Sequence, residues 1–262
     1  MLLCDHHLHS EYSFDSEQKM EPVCEKAVEL SISKICFTDH IEFAGIPGND
    51  VSMESDDTPW SDFDRRKKEI ERLRDKYSGR LTILNGAEIG QGYRASDLCK
   101  RLICENGFDF VIGAIHKLTG NIGCSKYTYT FENYTPTINA YFDDVKSLVS
   151  DTEYTVLAHI THPFRYVPDE ILVKYPINIW EERFREIFEI VVKRDLAIEI
   201  NTSGYRTKLN TAMPSLEILN WYRECGGKRV SVGSDGHSVR SAFLNLKDGY
   251  ELAEAAGLSV MN

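Results

Sequence analysis

The chain has 262 residues, of which 42% are hydrophobic and 27% are charged. This balance is typical of a globular protein with a substantial core, and it fits one barrel-sized domain or two small ones. The formal net charge of −11 argues against a non-specific nucleic-acid binder, which would carry a basic surface.

The sequence contains no apolar run of 18 residues, so we expect no membrane contact. The N-terminal residues have neither a basic start nor a long apolar stretch, which predicts no secretory signal and a cytoplasmic protein. Seven scattered cysteines without CxxC pairs predict free thiols in a reducing compartment. No linker rich in serine or glycine divides the chain, so residues 1–262 are expected to form a single domain.

Seven short apolar runs follow one another along the chain, separated by stretches with helical spacing. The runs are LLC before Asp5 and the segments 34–40, 81–88, 108–116, 155–162, 196–204 and 229–237. They are nearly continuous in hydrophobicity, as expected for parallel strands covered on both faces. The alternation predicts an α/β fold, either a barrel or a doubly wound sheet.

Four helices are predicted between these runs, three of them from apolar residues that share one face. The faces consist of Met20, Cys24, Ala27 and Val28; of Phe63, Ile70, Leu73 and Tyr77; and of Trp180, Phe184, Phe188 and Val191. Ser61 is expected to cap the second helix, with Asp62 and Asp64 in its first turn, and Pro214 to open a fourth. Long loops are expected at 42–60 and 117–136.

The first run ends in the motif DHHLHS, which concentrates three histidines in four positions. In a regular strand Asp5, His7 and His9 would share one face and His6 would point the other way. Two imidazoles at i and i+2 beside a carboxylate could bind a metal ion. Taken alone, the same motif could also be a polar strand edge.

Six of the seven runs end in side chains that can bind a metal, and in parallel barrels these strand ends meet at one face. They are His7 and His9, Asp39 and His40, Glu88, His116, His159 and His162, and Asp235 and His237. A lone histidine is more often structural than a metal ligand. Here, however, each of the six strand ends would need its own unrelated structural explanation, which favours one shared metal site. The thiolate-free set suits zinc, iron or manganese, and Glu88 or Asp235 could bridge two ions.

These motifs resemble the PHP (polymerase and histidinol phosphatase) family. The segments DHHLHS, FTDH, GAEIG, GAIH, LAHITH and GSDGH occur in the family's order over nearly the whole chain. The resemblance implies a distorted (β/α)7 barrel whose metal site lies at the C-terminal ends of the strands and holds two to three divalent ions.

The resemblance also assigns candidate ligands to each ion. They are His7, His9, Glu88 and Asp235 for the first ion; Glu88, His116 and His159 for the second; and Asp15, His40 and His237 for the third. Histidinol phosphatases typically have His-x-Asp where this chain has HITHP, so His162 is the alternative to His159. His6 is expected to be structural or to hydrogen-bond a ligand.

Two segments resemble the histidinol-phosphatase subgroup more closely. They are EINTSGYR at 199–206 and HPFRY at 162–166, which supply Arg206 and Arg165. Guanidinium groups bind phosphate oxygens bidentately, so both arginines are candidate phosphate ligands; the alternative is that each pairs with a surface acid. The surroundings of Trp60 and Phe63 and the 117–136 loop resemble lid-like insertions.

The resemblance implies a metal-dependent phosphomonoesterase that hydrolyses L-histidinol phosphate in histidine biosynthesis. A hydroxide bridging two ions would attack phosphorus in line, and Asp235 or His237 would assist the leaving alkoxide. The expected partner is a small phosphate ester, and the oligomeric state stays open. Alternatives are a PHP phosphoesterase for a nucleotide, phosphotyrosine or an oligonucleotide end, and a metal-binding module without turnover.

Overall fold

Strands and helices alternate along the chain in a computed structural model that describes residues 2–43 and 62–261. The strands within these ranges are β1 (Cys4–Leu8), β2 (Lys34–Phe37), β3 (His40–Glu42), β4 (Thr82–Gly90), β5 (Phe110–Ala114), β6 (Lys117–Leu118), β7 (Ile122–Gly123), β8 (Val156–Leu157), β9 (Ala197–Asn201), β10 (Arg229–Gly233) and β11 (Ser259–Val260). The helices are α1 (Met20–Glu29), α2 (Asp62–Lys76), α3 (Ser96–Asn106), α4 (Tyr134–Asp151), α5 (Asp169–Lys174), α6 (Glu181–Lys193), α7 (Leu216–Glu224) and α8 (Leu246–Ala255).

Seven parallel strands form a ring in the order β1-β2-β4-β5-β8-β9-β10. The ring closes between β1 and the end of β10 through two backbone hydrogen bonds. The amide of His9 donates to the carbonyl of Gly236 at 3.1 Å, and the amide of Asp235 donates to the carbonyl of His7 at 2.8 Å. β3 pairs with β4 and β11 with β10, while β6 and β7 form a separate antiparallel hairpin. The predicted distorted (β/α)7 barrel is confirmed, and the doubly wound sheet is excluded.

Side chains of the ring alternate between its interior and the surrounding helices. On β5, Phe110, Ile112 and Ala114 belong to a small apolar cluster inside the ring, whereas Val111 joins the large core shared with the helices. Each large apolar side chain buried in that core contributes about 1.5–3 kcal/mol. The apolar cluster fills the barrel interior, so the polar strand ends are collected above it.

The helices largely follow their predicted faces. Ile70, Leu73 and Tyr77 are buried along α2 and directly after it, and Phe184 is among the buried residues of α6. Pro214 does not open a helix, because α7 begins two residues later. The chain is still extended there, since the residue before this proline pairs with the end of β9 through two backbone hydrogen bonds.

The predicted 117–136 loop contains the short hairpin of β6 and β7, and α4 begins within its last three residues. The predicted 42–60 loop, with Trp60 and the Ser61 cap, lies outside the described residues except for its first two positions. All seven cysteines are free thiols, as predicted. None of the helices in the described ranges is long and apolar enough to cross a membrane.

Gly233, at the end of β10, allows β1 to approach closely. A Cβ at this position would lie 2.4 Å from the Cβ of His7 and 2.5 Å from Oε1 of Glu199. We expect Gly233→Ala to lower the free energy of unfolding by about 1–3 kcal/mol in urea titrations, because overpacking forces neighbours apart. The matched Gly123→Ala has no neighbour within 4 Å and should change it by less than about 0.5 kcal/mol. Equal midpoints for both variants would contradict the close approach.

Candidate functional site

The candidate metal ligands of the sequence meet at the C-terminal rim of the barrel. They come from the ends of β1, β4, β5, β8 and β10, from the start of β3 and from the loop after β1. The structure brings together His7, His9, Asp15, His40, Glu88, His116, His159, Asp235 and His237. This convergence follows from the parallel ring, which directs every strand's carboxyl end to one side.

Glu88 lies at the centre of this cluster and is almost completely buried. Its Oε1 is 2.8 Å from Nε2 of His159 and 3.1 Å from Nε2 of His116. Its Oε2 is 3.1 Å from Nδ1 of His40 and 3.2 Å from Nε2 of His7. The two oxygens of one carboxylate therefore face two different groups of imidazoles.

Two further carboxylates complete the cluster on the side of β10. Oδ1 of Asp235 is 3.5 Å from Nε2 of His9 and 3.4 Å from Nδ1 of His237. Oδ2 of Asp15 is 3.1 Å from Nε2 of His237 and 3.5 Å from Nε2 of His40. The three residues expected to hold a third ion are therefore neighbours in space.

Ligand atoms within 4.8 Å of one another define four groups in the described part of the chain. The groups are His7, His9 and Glu88; His9, Asp15, His40 and His237; His116, His159 and His162; and His40, Glu42 and His116. The spacing between ligand atoms in each group suits an ion bound between them. Because histidine and carboxylate donors share these groups, the cluster fits divalent metal ions.

The pKa shifts in the cluster reflect strong attraction between its carboxylates and its imidazoles. Burial would raise the pKa of Glu88, but the neighbouring imidazoles, first that of His7, lower it well below its usual value. Burial and the nearby His237 and His40 lower the pKa of His9 to about 3. Burial would lower the pKa of His116, but Glu42 and Glu88 raise it to about 10. Because imidazoles bind metal in the neutral form, an ion in the cluster would displace protons from such histidines.

β1 departs from the regular alternation that the sequence predicted. Its register against β2 shifts between Asp5 and Leu8, which is the signature of a β-bulge. Asp5 does not join His7 and His9: its Oδ1 accepts hydrogen bonds from the amides of His7 at 3.1 Å and Ser234 at 2.9 Å. The carboxylate expected beside the two imidazoles instead fixes the backbone that carries them.

Two of the eight histidines lie outside the set of nine. His6 is buried, with its ring 5.1 Å from that of Phe110 inside the barrel, which agrees with the structural role expected for it. His162 lies in the turn after β8, with Nε2 3.4 Å from the hydroxyl of Tyr166. His162 belongs to one of the four groups, but only His159 of the two contacts Glu88, at 2.8 Å, so the geometry favours His159 as the ligand beside Glu88.

Asp39 ends the second apolar run but does not reach the cluster. Nε of Arg66 donates to its Oδ2 at 2.6 Å. Burial would raise the pKa of Asp39, but the Arg66 guanidinium lowers it below its usual value. The strand end therefore carries a buried ion pair in place of a further candidate ligand.

Sequence reasoning missed two buried carboxylates behind the histidines. Oε1 of Glu199 lies 2.6 Å from Nδ1 of His7, and Oε1 of Glu42 lies 2.5 Å from Nδ1 of His116. Such pairs fix the ring and its tautomer, so that Nε2 is directed at a metal ion. Glu199 could have been found from the sequence, because it is the acidic residue within the apolar strand AIEIN. Burying an unpaired carboxylate is costly, so such a residue is expected to have a partner.

Both predicted arginines line the same cavity as the cluster, with a volume of about 690 Å³. Nη2 of Arg206 donates to the carbonyl of Ser234 at 2.6 Å, next to Asp235. The Arg165 guanidinium lies 5.3 Å from the ring centroid of Tyr166. Within the described residues neither guanidinium forms an ion pair with a carboxylate, so the alternative of a surface acid as partner is not supported.

The fold and the site define a parallel-barrel protein with a histidine- and carboxylate-rich cluster suited to divalent metal ions. A model of the PHP domain matches residues 5–203, and the chain belongs to the PHP domain family. The predicted family is therefore confirmed.

Two curated relatives match almost the whole chain. The probable histidinol-phosphatase of Clostridium acetobutylicum is 29% identical, with 98% of this chain and 95% of the relative covered. The histidinol-phosphatase of Lactococcus lactis subsp. lactis is 27% identical, with 97% and 91% covered. A crystal structure of histidinol phosphate phosphatase from that organism, complexed with zinc, L-histidinol and phosphate, has the same fold, with a TM-score of 0.78, 24% identity and coverage of 99% and 95%.

Replacing the central carboxylate tests whether the cluster binds metal as one unit. We expect Glu88→Gln to lose more bound zinc per chain than Glu42→Gln. Both oxygens of Glu88 contact imidazoles of the cluster, whereas Glu42 contacts Nδ1 of His116 and lies 3.8 Å from Nδ1 of His40. Glu42→Gln should weaken binding by about 10–100-fold. Elemental analysis after dialysis against a fixed free zinc concentration measures both. Wild-type zinc content in Glu88→Gln would contradict this arrangement.

Proposed function

We propose that this chain is a metal-dependent phosphomonoesterase that hydrolyses L-histidinol phosphate to L-histidinol and phosphate. The observation that carries the proposal is the shared cavity, in which two arginines without carboxylate partners among the described residues face a cluster suited to divalent ions. The near full-length similarity to histidinol-phosphatases supports the choice of substrate. We infer a single-domain cytoplasmic enzyme of histidine biosynthesis, with a small molecule as its partner.

We assign the nine converging side chains to two or three ions of zinc, iron or manganese. The first would be held by His7, His9, Glu88 and Asp235, the second by Glu88, His116 and His159, and the third by Asp15, His40 and His237. When bound, divalent ions supply Lewis-acid stabilisation of charge on the phosphoryl group. The buried position of Glu88 excludes water from the middle of this set.

Arg206 and Arg165 would bind the phosphate group of the substrate. Nη2 of Arg206 donates to the carbonyls of Ser234 at 2.6 Å and Asp235 at 3.5 Å, and these contacts hold the planar guanidinium in place. The remaining N–H groups are available for two phosphate oxygens in the bidentate geometry that arginine favours. A group held in position in this way loses little entropy when the substrate binds.

Asp235 and His237 are the two candidates for assisting the departure of the leaving oxygen, and both line the cavity. Oδ2 of Asp235 accepts hydrogen bonds from Ser203 at 3.2 Å and Asn201 at 3.3 Å. These contacts orient Asp235 so that its Oδ1 faces the histidines. Asp235 is therefore held in place beside Arg206, whose Nη2 donates to the carbonyl of Ser234 at 2.6 Å.

Phosphate release from L-histidinol phosphate, p-nitrophenyl phosphate and a nucleoside monophosphate tests the proposal, with and without chelator. We expect metal-dependent turnover with kcat/KM for L-histidinol phosphate at least roughly 100-fold above the other esters, because buried polar groups reject a ligand that leaves them unpaired. Equal weak rates would refute this substrate and favour another phosphate ester. Absence of turnover in metal-loaded protein would refute the enzyme.

Removing one guanidinium tests the phosphate site separately from the metals. Arg206→Met should lower kcat/KM by about 10–100-fold, because a hydrogen bond to a charged group contributes about 1.5–3 kcal/mol. Metal content should stay at the wild-type level. The control Arg229→Met removes an exposed arginine that pairs with Asp195 and should leave kcat/KM unchanged. Wild-type kinetics in Arg206→Met would remove this residue from the phosphate site.

A further inference from the structure

Arg66 of α2 is buried beneath the ends of β2 and β4, only 3% exposed. Its Nε donates to Oδ2 of Asp39 at 2.6 Å, and its Nη2 donates to the carbonyls of Phe37 at 2.7 Å and Gly86 at 2.9 Å. Its Nη1 donates to the side chain of Asn85. A buried guanidinium is tolerated only when its donors are satisfied in this way.

Asp39 extends this contact towards the metal cluster. Besides Arg66, its carboxylate accepts hydrogen bonds from the amide of Ser10 at 2.6 Å and from the hydroxyls of Ser10 and Ser13, each at 2.9 Å. An ionised carboxylate only accepts hydrogen bonds. The single hydroxyl hydrogen of Ser13 is therefore committed to Asp39.

Ser13 in turn contacts one of the candidate ligands. Its Oγ lies 3.0 Å from Nδ1 of His9 and accepts a hydrogen bond from the amide of His40 at 3.2 Å. Because its hydrogen points to Asp39, Oγ can only accept from His9, which requires the proton on Nδ1. The lone pair of His9 is then on Nε2, which lies 3.4 Å from Oε2 of Glu88.

We propose that Arg66 and Ser13 are positioning residues for the metal site, acting through Asp39 on His9. Nδ1 of His7 contacts Glu199 and Nδ1 of His116 contacts Glu42, two carboxylates outside the nine candidate ligands. His9 instead interacts with the carboxylate of Asp39 through Ser13. The chain of contacts selects the tautomer of His9 and directs its Nε2 into the cluster. The inference rests on the metal site of the proposed function and not on its substrate.

Zinc affinity of the full chain, measured by competition with a chromophoric chelator, tests this proposal. Ser13→Ala removes one hydroxyl and should still fold, and it should weaken zinc binding by about 10–100-fold. Arg66→Met should do the same. Arg74→Met is the matched control, because Arg74 also ties α2 to β4, through the carbonyl of Ile83 at 2.7 Å, but has no contact with Asp39. It should bind zinc as the wild type does.

The double variant Ser13→Ala/Arg66→Met should bind zinc no more weakly than the weaker-binding of the two single variants, because both residues act through one path. Wild-type zinc affinity in Ser13→Ala would overturn the proposal. It would also be overturned if Arg66→Met and Arg74→Met lost only stability and retained equal zinc affinity. A wild-type protein that binds zinc but does not hydrolyse L-histidinol phosphate would refute the proposed function and leave this inference standing.

Discussion

The burial of Glu88 among imidazoles is the interaction on which the site depends. A carboxylate inside a barrel is costly unless opposite charges or strong donors surround it, and the ends of β1, β5 and β8 supply them through His7, His116 and His159. The same crowding of donors around one carboxylate makes the cluster suitable for divalent ions. The side chains that stabilise the buried Glu88 are therefore also the ones that would hold the metal.

The orientation of the histidines depends on a second layer of contacts. Glu199 and Glu42 bind Nδ1 of their histidines directly, and Ser13 does so for His9. Each contact leaves Nε2 facing the centre. The three supporting residues come from β9, from β3 and from the loop after β1. The ring must therefore close for these residues to reach the histidines, so closure is needed to form the site as well as to stabilise the fold. Gly233 shows how little space this layer leaves.

The sequence predicted the barrel and the cluster because both follow from local patterns. Nearly continuous apolar runs that end in histidine or acid indicate parallel strands, and parallel strands place these ends at one rim. The bulge in β1 could not be predicted, since it depends on how β1 pairs with β2, and it removes Asp5 from the expected group. Glu199, Glu42 and Arg66 were missed because their roles depend on partners distant in the sequence. Pro214 was misplaced because its neighbour pairs with β9.

Anomalous diffraction from crystals of the zinc-loaded protein would test the central claim most directly. The account predicts zinc peaks at about 2.0–2.1 Å from Nε2 of His7, His9 and His116, with Nδ1 of these rings still bonded to Glu199, Ser13 and Glu42. Zinc bound through Nδ1 of any of these three rings, or peaks away from Glu88, would contradict it.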